Sequence, residues 1–267
     1  PNYWGVNPVG PGKGDKLPYA DEVTWQIVPD YSTRLAALRT GQAENSFADI
    51  LTKEDFETII ESNPEIKYAQ MIIDPIQISG RVDLADNPFS KKEVRQAMML
   101  AIDHPSIVAD LYGGQAELLD SPARKWYESI YVPMEELPET VQELYGYNPE
   151  KAKDLLSQAG YPDGFKMTMV LQNTPAHEEA GSLIKSYFDQ VGIDLTLQVV
   201  EPTIFTGMWI GREVEDLMLS QFPGGNGALF VRYSFGFFRG PNFFNMSHVN
   251  DPVGTDPVIE NAYNIQS

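Results

Sequence analysis

Between Phe165 and Val200 the apolar period changes from two residues to about 3.6 and back to two. Phe165 to Leu171 alternates as a strand, Pro175 to Val191 carries Leu183, Ile184, Tyr187 and Phe188 on a helical stripe, and Ile193 to Val200 alternates again. A strand, a helix and a strand in that order imply two parallel strands joined by a right-handed crossover. The chain is therefore expected to be α/β, with helices laid on a sheet.

The flanking segments extend this pattern. Asn148 is a helix N-cap, Pro149 takes the first helical position, Ala152, Leu155, Leu156 and Ala159 share one face, and Gly160 is the stop. Thr203 can cap a helix to about Ile210, and Leu217 to Phe222 reads as another buried strand. In the first half, Val23 to Val28 alternates as a strand, Asp30 or Ser32 can cap a helix carrying Leu35, Ala36 and Leu38, and Gly41 ends it before the apolar piece Phe47 to Ile50. Thr52 with Asp55 opens a helix through Ile60 that ends before Pro64, and Lys67 to Ile73 and Pro75 to Ser79 read as strands. Residues 1–20 are a Gly- and Pro-rich loop anchored by Tyr3 and Trp4, and residues 115–146 are a long connection punctuated by Pro122, Pro133 and Pro138.

Between the two halves lies Pro88 to Gly114, which reads as their joint. Ser90 and Glu93 have capping-box spacing, and Val94, Ala97, Met98 and Ala101 form one apolar helical face. Asp103 can cap a second helix with Ile107, Val108 and Leu111 on its buried side, ended by Gly113 and Gly114. The same string, PF-x4-VRQA-x3-AID-x3-IV-x3-YGG, resembles the signature of the family 5 extracellular solute-binding proteins, the peptide- and nickel-type receptors of ABC importers. Asn2-Tyr3-Trp4, Asp21-Glu22-Val23, Ser32-Thr33-Arg34, Leu38-Arg39-Thr40-Gly41, Tyr147-Asn148-Pro149-Glu150 and Ala159-Gly160-Tyr161-Pro162 are similar to that family in the same order.

The resemblance implies a periplasmic-binding-protein-like fold of class II, cluster C type, in which two α/β lobes enclose a ligand. Residues 1–112 would be an incomplete lobe one with the hinge helices, and residues 113–267 most of lobe two without its return to lobe one. It also implies an extracytoplasmic home, free or lipid-anchored, and an ABC permease as partner. The ligand-binding set expected from it is Trp209, Phe222, Gly224, Gly225, Asn226, Phe230, Arg232 and Tyr233. From Phe222 to Asn245, Phe230, Tyr233, Phe235, Phe237, Phe238, Phe243 and Phe244 are interleaved with glycines and two charges, Arg232 and Arg239, a composition suited to an apolar cleft. Where peptide receptors of the family commonly have an Asp for the ligand's amino group, this chain has Gly224-Gly225-Asn226. Losing that charge-assisted bond costs about 1.5–3 kcal/mol, which favours a capped peptide, a sugar or another uncharged or cationic solute over a free peptide N-terminus. Unpaired sheet edges in such a piece of a larger fold would invite association with another copy.

Charge and motifs narrow the function further. A formal net charge of -19, from 38 acidic and 19 basic residues, repels nucleic acid. No apolar run is long enough to span a membrane, and residues 1–10 have no basic-then-apolar leader pattern. The chain has no cysteine, so thiolate metal sites and disulfides are excluded. His104, His177 and His248 lack the i, i+4 partner of a zincin helix and read as helix-end or surface residues. No nucleophile elbow, phosphate loop or dinucleotide fingerprint is present, and the pairs Glu135-Glu136 and Glu178-Glu179 are adjacent residues that point apart on a helix. No catalytic residue, metal site or cofactor is therefore expected. A ligand-sensing module and a carboxylate-using hydrolase are the alternatives to a transport receptor.

Overall fold

The structure, a computed structural model, describes residues 5–44, 51–68, 76–114, 116, 118, 131–221, 239–242 and 245–265. The chain divides into two compact units, Pro1–Phe47 and Ala48–Ser267.

The first unit contains a looped ribbon and one helix. Val6 and Lys16 form an isolated antiparallel bridge, and Tyr19 donates from its hydroxyl to the Gly12 carbonyl at 3.2 Å. Helix α1, Tyr31–Arg39, starts where Asp30 accepts from the Thr33 N–H at 2.7 Å, which is the first of the two caps the sequence offered. The expected strand Val23 to Val28 is not formed, and these residues lie in irregular backbone. Among the described residues of this unit no neighbouring strand supplies hydrogen bonds to it, and alternation alone does not make a strand.

The second unit is built on a four-stranded sheet in the order β1-β4-β2-β3, formed by β1 (Ile76–Gly80), β2 (Phe165–Gln172), β3 (Ile193–Val200) and β4 (Leu217–Gln221). β2 and β3 pair in parallel from Phe165↔Ile193 to Gln172↔Val200, as the period change across residues 165–200 requires. β4 lies parallel to β2, with Leu217 beside Met169. β1 pairs antiparallel to β4, with Ile76 beside Gln221 and Gly80 beside Leu217, so the sheet is mixed.

One face of the sheet carries most of the helices. Helices α2 (Lys53–Ser62), α3 (Lys92–Ala101), α4 (His104–Tyr112), α5 (Glu139–Gln142), α6 (Pro149–Gln158) and α7 (Pro175–Gln190) follow in chain order. Val94, Ala97, Met98 and Ala101 of α3, Ala152 and Leu156 of α6, and Ile184 and Phe188 of α7 share one core with Met167, Met169 and Leu171 of β2 and Ile193 and Leu195 of β3. The opposite face is covered by α8, Pro202–Gly211, where Phe205 packs with Val170, Val214, Met218 and Met246. The final helix, α9, spans Pro257–Ile265.

Most helix ends match the sequence signals. Thr52, Asp103 and Asn148 accept from Asp55, Ser106 and Lys151 N–H groups, and Gly113 closes α4 in the left-handed region at φ 58. Two caps differ. Ser90 does not cap α3, because Pro88–Ser90 is a 3-10 turn whose own cap is Asn87, accepting from the Phe89 N–H at 2.8 Å. Helix α3 instead begins after Lys91 with no side-chain cap, and Lys91 reaches across to the Ala159 carbonyl at the end of α6 at 2.7 Å. Thr203 lies inside α8, which starts after Glu201 with Pro202 as its first residue. The piece Phe47 to Ile50, residues 69–73 of the expected strand Lys67 to Ile73, and the loop anchors Tyr3 and Trp4 fall outside the described residues, and Lys67 and Tyr68 lie in irregular backbone.

The apolar face of α3 and Leu111 of α4 are buried in the same core as α6 and α7, so both expected hinge helices belong to the body of the second unit.

Gly164 marks the tightest point of the sheet's amino end. It has φ +76, and a Cβ there would lie 1.8 Å from the Gly192 carbonyl oxygen. Phe188→Ala, at a fully buried position, is expected to cost about 3–5 kcal/mol in urea denaturation. Val199→Ala, at an edge-strand position 44% exposed, is expected to change stability by less than about 0.5 kcal/mol.

Candidate ligand-binding edge

In open α/β sheets the carboxyl ends of parallel strands are where ligands bind, because loops diverge there around helix N-termini. In this sheet that edge is formed by Gln172, Val200 and Gln221, with the start of antiparallel β1 alongside. On the face carrying α8, Gln77 of β1 is beside Ser220 of β4, and Gln172 of β2 is beside Val200 of β3. The β4–β2 offset, Leu217 with Met169 and Met218 with Val170, carried on along the strands sets Ser220 next to Gln172. One row across the sheet thus holds Gln77, Ser220 and Gln172. Ser220 is buried, whereas Gln77 and Gln172 are half-buried. Gln77 Nε2 donates to Ser79 Oγ at 3.2 Å on the same strand face.

Beyond β2 the parallel ladder continues by one bond, from the Asn173 N–H to the Val200 carbonyl at 2.9 Å. Asn173 Nδ2 then donates to Glu201 Oε1 at 2.8 Å, which ties the loops after β2 and β3 together. Thr174 caps α7, and its Oγ1 lies 2.7 Å from His177 Nδ1. His177 is 4% exposed and its Nε2 has no hydrogen-bond partner. It is a helix-end residue as its position suggested, but a buried one rather than a surface one. Burial holds its pKa below the usual histidine value, and the same cause acts first on His104 and His248.

The opposite end of β4 is held by a polar clamp. Asp216 Oδ2 accepts from the Thr168 N–H at 2.9 Å, and Asn87 Nδ2 donates to the Glu215 carbonyl at 2.8 Å. Arg212, in the left-handed region at φ 56, donates to the Asn245 carbonyl at 3.1 Å and to Asp251 Oδ2 at 2.8 Å. Asn245 is fully buried and donates to the Gly240 and Val249 carbonyls. Arg239 pairs with both carboxylate oxygens of Glu260 in α9, which holds that carboxyl below its ordinary pKa.

A separate groove of about 350 Å³ lies between α4 and α7, lined by Asp110, Leu111, Glu179, Ser182, Leu183 and Ser186. Beside it the Tyr112 hydroxyl is pushed up to about 12 by burial and by the Glu179 charge. Among the described residues no cluster of three or more His, Asp or Glu side chains could hold a metal ion.

Of the ligand-binding set expected from the sequence, Trp209 is described. It lies in α8, half-buried, packed on the cluster of Val170, Phe205 and Met218, so its ring supports the sheet's second face. Phe222, Gly224, Gly225, Asn226, Phe230, Arg232 and Tyr233 lie outside the described residues, in the stretch that follows β4. The row Gln77, Gln172 and Ser220 was not singled out from the sequence. Its signal is a polar residue near an end of each of three strands, in IQISG, FKMTMVLQ and LMLSQ.

A family model described as bacterial extracellular solute-binding proteins, family 5 Middle, matches residues 1–252. The glutathione-binding protein GsiB of Escherichia coli is 31% identical over 157 residues, 57% of this chain and 27% of that protein. The periplasmic binding protein DppA of Helicobacter pylori, solved with the peptide STSA, superposes with a TM-score of 0.62 at 24% identity, covering 78% of this chain and 38% of that one. NikZ of Campylobacter jejuni, solved with Ni(L-His), gives a TM-score of 0.67 at 19% identity, covering 89% of this chain and 48% of that one. The chain thus spans about a quarter of GsiB and less than half of either solved relative. These likenesses give the chain the fold of a part of the periplasmic binding proteins.

The three lowered histidine pKa values fix the sign of an acid effect. Their unfolded forms bind protons below about pH 6.5 while the folded forms resist, so stability is complete above that pH and declines as pH falls through it. A lower urea midpoint at pH 5.5 than at pH 7.5 is expected, with a smaller difference in His177→Gln. Asp251→Ala should leave the Arg212 guanidinium without its carboxylate and lower stability by about 1–3 kcal/mol, read in the same titration at pH 7.5.

Proposed function

The chain belongs to the bacterial extracellular solute-binding proteins of family 5, and from that membership we propose that the protein captures a small solute outside the cytoplasm and delivers it to the permease of an ABC importer. The match of the family over residues 1–252 is the observation that carries this reading. The protein then works by binding and release between two lobes rather than by bond chemistry. Among the described residues no helix is long and apolar enough to cross a membrane.

In this reading the sheet of the second unit belongs to the second lobe, and its carboxyl edge faces the ligand. Gln77 and Gln172 present neutral amides there, and Phe222, Gly224, Gly225, Asn226, Phe230, Arg232 and Tyr233 follow β4 in the sequence. Trp209 backs the same sheet from α8. Neutral amides, aromatic rings and one arginine suit a peptide-like solute whose amino group is blocked or absent, or another uncharged compound. The glutathione-binding and peptide-bound relatives support the peptide-like class. Lipid anchoring of the whole protein is part of the proposal.

Differential scanning fluorimetry with glutathione, acetylated and free tripeptides, oligosaccharides and nickel-histidine tests it. A ligand at a hundred times its Kd adds about 2.7 kcal/mol and should raise the melting temperature of the complete protein by several degrees. Gln172→Ala is expected to weaken that ligand's binding about 2- to 12-fold, the loss of one hydrogen bond, with little change in the ligand-free melting temperature. Turnover of any of these compounds would sink the binding reading.

A further inference from the structure

Three segments of the second unit meet at His248. The exit of β1 supplies Arg81 to Asp83, the exit of α8 supplies Arg212, and the turn 245–251 supplies the histidine itself, in the left-handed region at φ 55. The Val82 N–H donates to the Ser247 carbonyl at 3.1 Å, which ties the end of β1 to this turn, and Arg212 ties the end of α8 to it through the Asn245 carbonyl. The His248 side chain is 18% exposed, and its Nε2 is buried with no hydrogen-bond partner. Its Nδ1 lies 3.9 Å from Asp83 Oδ2, beyond hydrogen-bonding reach, and that carboxylate already accepts from Arg81 at 2.7 and 2.6 Å.

A proton on this ring would find little compensation. Among the described residues the charges that face it are Arg81, Asp83 and Arg212, and Arg212 is itself paired with Asp251. The protonated ring would make three cations against two carboxylates in one part-buried junction. Burial first, and then the Arg212 and Arg81 charges, hold its pKa below the ordinary histidine value, opposed by Asp83 and the Arg212 backbone. His177, the other ring with a partnerless Nε2, has no such setting. Its Nδ1 meets Thr174 at the start of its own helix, and burial is the cause of its shift.

We propose that His248 is an acid-released latch: neutral, it closes the junction between the exit of β1 and the turn 245–251, and on protonation it lets residues 81–83 and 245–251 part locally while the sheet core stays folded. The open junction takes up a proton near the ordinary histidine value of about 6.5, which the closed one resists. Closure is therefore complete above that pH and weakens as pH falls through it. This device concerns local stability and stands whatever the protein binds.

Hydrogen–deuterium exchange of the complete protein at pH 7.5 and 5.5, corrected for the pH dependence of intrinsic exchange, tests it. The Val82 amide crosses the junction, and its protection is expected to fall about 5- to 10-fold on acidification while staying at least about 10-fold below that of Met169 and Leu217 in the sheet. The fall should be absent in His248→Asn, whose side chain is neutral at both pH values and tolerates the left-handed region, and retained in His177→Gln. No fall in the unsubstituted protein, the same fall in His248→Asn, or its loss in His177→Gln overturns the proposal. So does a Val82 amide as protected as Met169 and Leu217, because the opening is then global. As a readout that needs no variant, the His248 ring should titrate below the ordinary histidine value in an NMR titration, and titration at or above that value overturns the latch.

Discussion

Burial of β2 on both of its faces is the constraint from which the second unit follows. Met167, Met169 and Leu171 point into the helix-covered core, while Val170 points the other way against Phe205 and Met218. Each fully buried side chain of this size is worth about 1.5–3 kcal/mol. A one-residue slip would exchange the two faces and expose the set, so the strand's register is fixed by its side chains as well as by its ladder. The full-length parallel pairing with β3 and the shorter one with β4 inherit that register, and β1 takes its place through β4. The level of the row Gln77, Ser220 and Gln172 is therefore set by hydrophobic burial several residues away.

The polar clamp complements this core. Buried polar groups cost free energy unless they are paired, and Asn245 shows how completely that can be met. Its amide donates to two carbonyls, its side-chain oxygen accepts from Ser247 Oγ, and its own carbonyl receives Arg212. Asn250 does the same work nearby, donating to Glu260 and accepting from the Gly254 and Asp256 N–H groups. Against that background the partnerless Nε2 atoms of His177 and His248 stand out, and burial is the first cause that lowers the pKa of both rings.

Much of this fold was legible in the chain because its signals are local. Asn148-Pro149 and Thr52-x-x-Asp55 act within one turn, and the change of period across residues 165–200 fixes both strands and their parallel sense. Signals that need a distant partner were misread. Ser90 and Glu93 have the spacing of a capping box, but Pro88 draws Ser90 into a turn of its own and Lys91 is spent on α6. Val23 to Val28 alternates correctly and still has no ladder. β1 was recognised as a strand, whereas its antiparallel place beside β4 depends on a contact about 140 residues away that no local pattern encodes. The candidate site was legible only by resemblance. Polar residues that end three separate strands become one row only when the sheet order is known.

The meeting of Gly164 with Gly192 has a consequence for how such a chain can diverge. At that end of the sheet two backbones touch with no room for a side chain, and the clamp around Asp216 and Asn245 fixes the amino end of β4 as firmly. Loops at this end cannot lengthen without parting β2 from β3 or unfastening buried amides. At the carboxyl end, the Asn173–Glu201 contact links the loops after β2 and β3, and it is a single bond between exposed groups. Insertions and deletions that accumulate over evolutionary time are thus channelled to one side of the sheet, and a chain of this build can exchange the loops there while its foundation stays still.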